Sequence, residues 1–253
     1  MQDCKPVCTP VDVNAKLTKA TDEEESVDQQ QYQSAIGSLM YLSVSTRPDI
    51  AYAVGNLAKL SSKPTKAHWM ALKRVLRYLK GTVSHGILYK KGESSECIGF
   101  SDADWAGDVN DRKSTSGYLF QTSGGAITWR SKKQECVALS TAEAEYVALS
   151  SAAQESVWLR KLMCDLGNPP KKPTTIYEDN QSAIAMSHNL QFHGRAKHID
   201  IKHHFIREQV ASKNINLEYC PTREMAADIF TKGLAREQFC TLRSKAGIVP
   251  PEH

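Results

Sequence analysis

The 253-residue sequence has no apolar run near the roughly 20 residues that cross a bilayer, and we expect no membrane partner. Its opening, MQDCKPVCTP, lacks the basic and then apolar layout of a signal peptide. Its seven cysteines form no CxxC pair, so neither a disulfide framework nor a zinc knuckle is predicted. These absences predict an intracellular protein with reduced thiols, cytoplasmic or nuclear.

Acidic side chains are missing from one long stretch of the chain. Residues 59–91 hold nine Lys or Arg and no acid, whereas residues 1–30 hold seven acids against three lysines. The first thirty residues are polar and poorly patterned, which predicts a flexible lead. The basic stretch indicates a polyanionic partner.

Helical periodicity follows the lead. Tyr32, Ile36 and Leu39 recur at helical spacing, and Pro48 suits the first turn of a second helix. A third helix is predicted over 67–80, with an apolar stripe of Leu72, Val75, Leu76 and Leu79 and a basic remainder of Lys73, Arg74, Arg77 and Lys80. The basic side is either a solvated face or a surface that tracks phosphates, and the second reading requires a neighbouring domain that handles nucleic acid.

From about residue 95 the hydrophobic period changes to that of strands. ECIGFSDAD, SGYLFQTS and AITWRSK predict a three-stranded meander. A long helix should then begin at a capping box of Ser140 and Glu143 and end at Gly167. After it we expect a strand at TTIYEDN, helices at QSAIAMSHN and IDIKHHFIREQVASK, a strand at INLEYC and a closing helix at REMAADIFTKGL. The order is that of an α/β fold.

Four acids fall where these elements begin or end: Asp102, Glu145, Asp179 and Asp228. Each alone is most simply a cap or a surface group. If the fold brought them within about 4 Å of one another, each like-charged pair would cost about 4 kcal/mol at an effective dielectric near 20. Such a cluster would need cations, and oxygen ligands suit Mg²⁺. Spacing alone does not show that the four acids converge.

Several blocks of the sequence carry a family resemblance. GFSDADWAGD, DRKSTSGY, STAEAEYVAL, EDNQSA, KHIDIKHHFIRE and AADIFTK, in this order, closely resemble the ribonuclease H domain of copia-type LTR retrotransposon Pol polyproteins. YQSAIGSLMYLSVSTRPDIAYAV and HWMALKRVLRYLKGT resemble the segment that joins reverse transcriptase to that domain. After the flexible lead (1–30), the resemblance implies a helical connection segment (31–90), a domain of ribonuclease H-like α/β fold with a mixed five-stranded sheet flanked by helices (95–235), and a helical tail (236–253).

The resemblance also implies a function and a site. The chain would be a metal-dependent endonuclease that cuts the RNA strand of an RNA–DNA hybrid, with the rest of the Pol polyprotein as partner and a virus-like particle or the nucleus as its setting. Its catalytic residues and metal ligands would be Asp102, Glu145, Asp179 and Asp228, holding two Mg²⁺ ions, with Mn²⁺ as the alternative. Glu143 is better explained as a cap than as a ligand, and Asp104 or Asp108 could be a secondary ligand.

Two departures and one rival interpretation accompany the resemblance. The loop CPTREMAAD lacks the histidine that many ribonucleases H carry before the last helix, so any such role is either absent or taken by Arg223 or Glu224. No paired-aspartate turn such as YVDD occurs, so we expect no polymerase activity. The rival is a non-catalytic nucleic-acid-binding remnant.

Contacts to nucleic acid are expected at several side chains. Arg112, Lys113 and Ser114 either hold phosphates or form the turn into the second strand. His198, His203 and His204 lack a familiar zinc spacing and are expected on a helix surface or against the hybrid. The residues predicted to bind nucleic acid are Lys73, Arg74, Arg77, Lys80, Arg112, Lys113 and Ser114.

Overall fold

Three helices precede the sheet. In the computed structural model, which describes residues 1, 3–21, 23–92, 94–188 and 197–251 (without the side chains of 197–200 and 203), these are α1 (Gln29–Ser45), α2 (Ala51–Ala58) and α3 (Lys66–Gly81). A 3₁₀ turn at Pro48–Ile50 leads into α2, so the proline lies in a first turn as predicted. The buried side of α3 consists of His68, Leu72, Val75 and Tyr78, whereas Leu76 and Leu79 are only half-buried.

A mixed five-stranded sheet forms the centre of the molecule. After a two-residue strand β1 (Gly86–Ile87), its members are β2 (Ile98–Asp104), β3 (Thr115–Thr122), β4 (Gly125–Lys133), β5 (Thr174–Glu178) and β6 (Ile215–Tyr219). The order is β4-β3-β2-β5-β6, with β2, β3 and β4 antiparallel and β5 parallel to both β2 and β6. The predicted meander and the mixed sheet are confirmed, and the carboxyl ends of β2 and β5 lie at the same edge.

The long helix α4 (Thr141–Asp165) begins and ends where the sequence predicts. The Ser140 hydroxyl accepts the Glu143 N–H at 3.2 Å, and the Glu143 carboxylate accepts the Leu139 N–H at 3.0 Å. At the other end Gly167 has a φ of +77° and donates its N–H to the Cys164 carbonyl. Two further helices, α5 (Gln181–His188) and α6 (Lys197–Ala211), follow β5.

The closing helix predicted at REMAADIFTKGL is wrong. The chain instead makes two 3₁₀ turns, Thr222–Glu224 and Ala226–Phe230, separated by extended backbone at Met225. All five residues of the second turn are buried, and Phe230 packs against β3 so closely that a Cβ on Gly117 would lie 2.7 Å from the Phe230 Cβ. Tertiary packing of this short apolar segment therefore overrides its helical periodicity.

The C-terminal segment is only partly helical. Helix α7 (Arg236–Lys245) is followed by strand β7 (Ile248–Val249), which pairs antiparallel with β1. The tail thus returns to the segment that leaves α3, a contact between distant parts of the chain that local patterning did not indicate. Within the described ranges, no helix is long and apolar enough to cross a membrane.

The helical segment and the sheet share a hydrophobic core. Tyr32 and Leu72 belong to the same buried cluster as Leu119, Phe230 and Leu242, and a second cluster lies between α4, the sheet and α6. A buried ion pair of Arg47 and Asp49, at 2.8 Å, adds a polar link. Tyr78 donates its hydroxyl proton to Asp49, and Arg243 of α7 donates to the Tyr78 hydroxyl at 3.2 Å.

The lead lies along α3. The carbonyls of Cys4 and Lys5 accept hydrogen bonds from Lys80 and Arg77 at 2.9 and 2.7 Å. The Asp12 carboxylate pairs with Arg74 at 3.3 Å. These contacts hold the lead against α3, in contrast to the flexible lead expected from its composition. The acidic lead and the basic helix are complementary partners, a relation missed because each was interpreted separately.

Arg77→Ala should loosen residues 4–12 of the lead on α3, because it removes the donor to the Lys5 carbonyl while Lys80 and Arg74 keep their contacts. As the contact is exposed, we expect a loss of no more than about 1 kcal/mol in unfolding free energy. Amide hydrogen exchange in that segment should accelerate several-fold. Lys73→Ala is the control, since Lys73 is exposed and lies over the Trp69 ring. Equal exchange in both variants would show that Arg77 does not hold the lead.

Candidate metal centre

Three of the four predicted acids meet at one edge of the sheet. Asp102 lies near the end of β2, Asp179 directly follows β5, and Glu145 lies early in α4. Each offers an oxygen, and the three oxygens lie within 4.8 Å of one another. The parallel pairing of β2 and β5 brings Asp102 and Asp179 together, and the packing of α4 on the sheet adds Glu145. We call these three residues the carboxylate trio.

Asp228 lies beside the trio without joining it. Its carboxylate is buried and forms an ion pair with the Lys232 ammonium at 2.8 Å. The same ammonium lies 3.7 Å from Oδ2 of Asp102. The four acids are therefore arranged as a compact trio and a second pair, Asp102 and Asp228, that Lys232 bridges. Asp102 belongs to both groups.

Hydroxyl groups from the closing turns orient the carboxylates. Thr231 donates a hydrogen bond to Oδ2 of Asp102, and Thr222 donates one to Oδ2 of Asp179 at 2.7 Å. Oε2 of Glu145 is buried and has no hydrogen-bond partner among the described residues. One trio member thus presents a carboxylate oxygen that nothing in the described protein satisfies, although buried polar atoms are normally paired.

Glu178 is a further acid at this site that sequence reasoning missed. It ends β5, is fully buried, and accepts the Asn180 N–H at 3.3 Å through Oε1. Its Oε2 has no hydrogen-bond partner in the described part of the chain. The signal was available: Glu178 lies two residues after Ile176, so strand alternation puts it on the same buried side.

Four buried acids of this region, Asp102, Glu145, Glu178 and Asp228, have pKa values above those of free carboxyls. Burial raises the pKa of Asp102, and burial together with neighbouring carboxylates raises the pKa of Glu145 and Glu178 well above the usual range. Burial and then the Asp102 charge raise the pKa of Asp228 to about 8, although Lys232 opposes the shift. Ionising all of these carboxyls together without a cation is therefore unfavourable.

A hard divalent cation fits this donor set. The trio offers only oxygen, its ligand atoms are close together, and the Glu145 oxygen lacks a partner among described residues. An ion here would favour the charged form of each ligand and so offset the cost of burying them. The described cluster contains no sulfur or imidazole ligand that would favour zinc.

The two candidate secondary ligands are engaged elsewhere. Asp104 accepts the Thr115 N–H, and burial raises its pKa to about 6. Asp108 pairs with Lys133 at 2.8 Å and lies 3.9 Å from Lys59. Burial alone would raise the pKa of Asp108, but its hydrogen bonds to Lys133 and Asn110 hold it well below the usual range. Neither acid belongs to the trio.

The residues predicted to bind nucleic acid are not equally accessible. Ser114 is fully buried and its hydroxyl accepts the Ala106 N–H at 3.0 Å, so it forms the turn and a phosphate contact is the wrong interpretation. Arg112 is exposed and Lys113 half-buried. On α3, Lys73 and Lys80 are exposed, whereas Arg74 and Arg77 are half-buried. The side chains of His198 and His203 lie outside the described residues, and His204 is exposed.

The loop that lacks the expected histidine lies beside Asp179, through the Thr222 hydrogen bond. Glu224 lies 3.8 Å from the Lys245 ammonium and 3.7 Å from the Arg223 guanidinium. The Arg223 side chain is 83% exposed and that of Glu224 51%, so Arg223 is the more accessible of the two residues named as substitutes.

Comparisons with known proteins agree with the family resemblance of the sequence. No family model matches the chain. A retrovirus-related Pol polyprotein of a Nicotiana tabacum transposon is 43% identical over 253 residues, covering 98% of this chain but only 19% of the polyprotein. A secreted RxLR effector protein of Plasmopara viticola is 58% identical over 128 residues, 51% of this chain and 90% of that protein.

Among solved structures, the N-terminal RNase H domain of a Mycobacterium tuberculosis protein, fused to maltose-binding protein, is similar with a TM-score of 0.40 and 13% identity. The match covers 60% of this chain and 99% of the solved chain. The match to a transposon polyprotein extends over 98% of this chain, and the β4-β3-β2-β5-β6 sheet has helices on its flanks. Together they assign the family and the fold. The chain belongs to the copia-type, retrovirus-related Pol polyproteins of transposons, of which it spans about a fifth, and it has the ribonuclease H-like α/β fold.

Proposed function

We propose that this chain is a metal-dependent endonuclease that hydrolyses the RNA strand of an RNA–DNA hybrid during reverse transcription of the element. The observation that carries the proposal is the convergence of Asp102, Glu145 and Asp179 within 4.8 Å. Membership of the Pol family supplies the biological setting. The remainder of the polyprotein, including a reverse transcriptase, would be its partner in that setting.

Mg²⁺ is the proposed cofactor, with Mn²⁺ as a substitute. The trio would hold one ion, and Asp102 with Asp228 would form the position of a second. When bound, such ions supply Lewis-acid activation of water and stabilise charge on the leaving oxygen of a phosphodiester. Asp102, shared by both positions, is fixed by the Thr231 hydroxyl, and Asp179 is fixed by Thr222.

Recognition of the hybrid would rest on shape and charge. The 2′-hydroxyls across the wide minor groove distinguish an RNA strand from DNA. Two exposed cations outside the trio, Lys73 and Arg112, would contact phosphates without regard to base sequence. Arg74, Arg77 and Lys80 would join them only if the lead left α3, because all three now bind the lead.

The proposal predicts cleavage of one strand of one substrate. With Mg²⁺, the parent chain should cut the labelled RNA strand of a hybrid and leave a DNA duplex of the same sequence intact. EDTA should stop cleavage, and Asp179→Asn should lower it by at least about 10³-fold because it removes a charged ligand. Asp165→Asn, a matched change at the exposed end of α4, should leave the rate unchanged.

The same assay addresses the non-catalytic alternative. If the parent binds the hybrid but does not cut it with either Mg²⁺ or Mn²⁺, the chain is a binding remnant and the nuclease proposal fails.

A further inference from the structure

The Lys232 side chain lies between two acids of the site. Its ammonium is 2.8 Å from Oδ1 of Asp228 and 3.7 Å from Oδ2 of Asp102, and the side chains of those acids are only 3% and 1% exposed. The backbone fixes the arrangement, since the Lys232 N–H donates to the Asp228 carbonyl at 3.2 Å, just after the 3₁₀ turn. The Lys232 side chain is therefore held within the site by its backbone and by its two carboxylate partners.

The ammonium already pairs with both carboxylates that would hold the second ion, Asp102 and Asp228. A divalent ion held by the same two carboxylates would therefore lie close to this ammonium. Repulsion between the ammonium and a divalent ion at such a distance is strong in a half-buried site. One position cannot hold both cations. The trio is different, because its oxygens gather within 4.8 Å without Asp228.

We infer that the Lys232 ammonium takes the place of the second divalent ion in the substrate-free protein, so that the chain alone binds one ion, at the trio. Lys232 is a positioning residue that holds Asp228 and Asp102 in place without metal. The inference rests on the proposed function, since it takes the trio as a metal site.

Ion stoichiometry tests this inference without any measurement of cleavage. Mn²⁺ titrations of the full chain free of nucleic acid, followed by calorimetry and by paramagnetic resonance, should give one bound ion for the parent. Lys232→Met, which keeps the length of the side chain but not its charge, should bind two. Its second ion should bind at least about tenfold more tightly than any second binding in the parent, because a positive charge has been removed.

Two matched variants locate the second ion. Lys232→Arg keeps the positive charge and should still bind one. Adding Asp228→Asn to Lys232→Met should return the count to one, because the second position then lacks a charged ligand. Should Lys232→Met fail to fold, the arginine variant and a Lys232→Gln variant decide the question, with one and two ions expected.

Each result has a defined meaning. Two ions in the parent, or in the arginine variant, would overturn the role of Lys232 and leave the proposed nuclease intact. One ion in both the parent and Lys232→Met would also overturn it. No ion in any variant would overturn both the Lys232 inference and the metal dependence of the proposed function.

Discussion

Glu145→Gln is expected to reduce cleavage of an RNA–DNA hybrid by at least about 10³-fold, equivalent to about 4 kcal/mol in the barrier. The substitution keeps the size of the side chain and removes the negative charge from the one trio member that lies on α4. A neutral amide is a weak ligand for a hard cation. Single-turnover rates with saturating protein should show the loss, while the affinity for the hybrid should change little.

Glu143→Gln is the matched control, two residues earlier in the same helix. Glu143 accepts the Leu139 N–H and caps the helix, and it lies outside the trio. The glutamine amide oxygen can still accept that N–H, so the substitution should cost less than about 1 kcal/mol of stability and leave the cleavage rate within about threefold. If both variants lost activity equally, disturbance of α4 would be the cause. If Glu145→Gln retained full activity, the trio would not be the catalytic site.

Much of the fold is predictable because its signals are local. The capping box at Ser140, the terminating Gly167 and the alternation of β2, β3 and β4 each depend on neighbours a few residues apart. The convergence of Asp102 and Asp179 is different, since it depends on strands far apart in the chain becoming parallel neighbours. Only the family resemblance carried that information, and spacing alone left it open.

What the sequence did not indicate depends on contacts over long distances. The Ala226–Phe230 segment has helical periodicity, but its burial against Gly117 of β3 favours a tight 3₁₀ turn. The lead is polar and unpatterned, yet Arg74 and Arg77 supply charged partners for it. Lys232 was overlooked because one lysine in a short motif has no local signature, and its role depends on Asp102, far away in the chain.

The last expected result concerns stability without metal. A Glu carboxyl such as Glu178 usually has a pKa of 4.5, and in the folded chain the pKa of Glu178 lies well above this. An Asp carboxyl such as Asp228 usually has a pKa of 3.8, and in the folded chain the pKa of Asp228 is about 8. A group whose folded pKa is raised contributes stability that is fully present below its unfolded pKa and is lost as pH rises toward the folded value. In EDTA, the free energy of unfolding should therefore fall between pH 5 and pH 8.

A loss of about 3 kcal/mol across that range corresponds to a fall of roughly 5–10 °C in Tm for a chain of this size. Glu178→Gln should reduce the slope of the profile without removing it, because an amide at this position cannot ionise whereas Asp228 still can. Comparing the variant with the parent removes the contribution of histidines such as His85, whose pKa is lowered by burial. Adding Mg²⁺ should raise Tm more at pH 8 than at pH 5, since an ion competes with protons for the same oxygens. A parent Tm in EDTA that stays level or rises over this range would mean that the buried carboxyls do not carry the excess negative charge on which the proposed metal site depends.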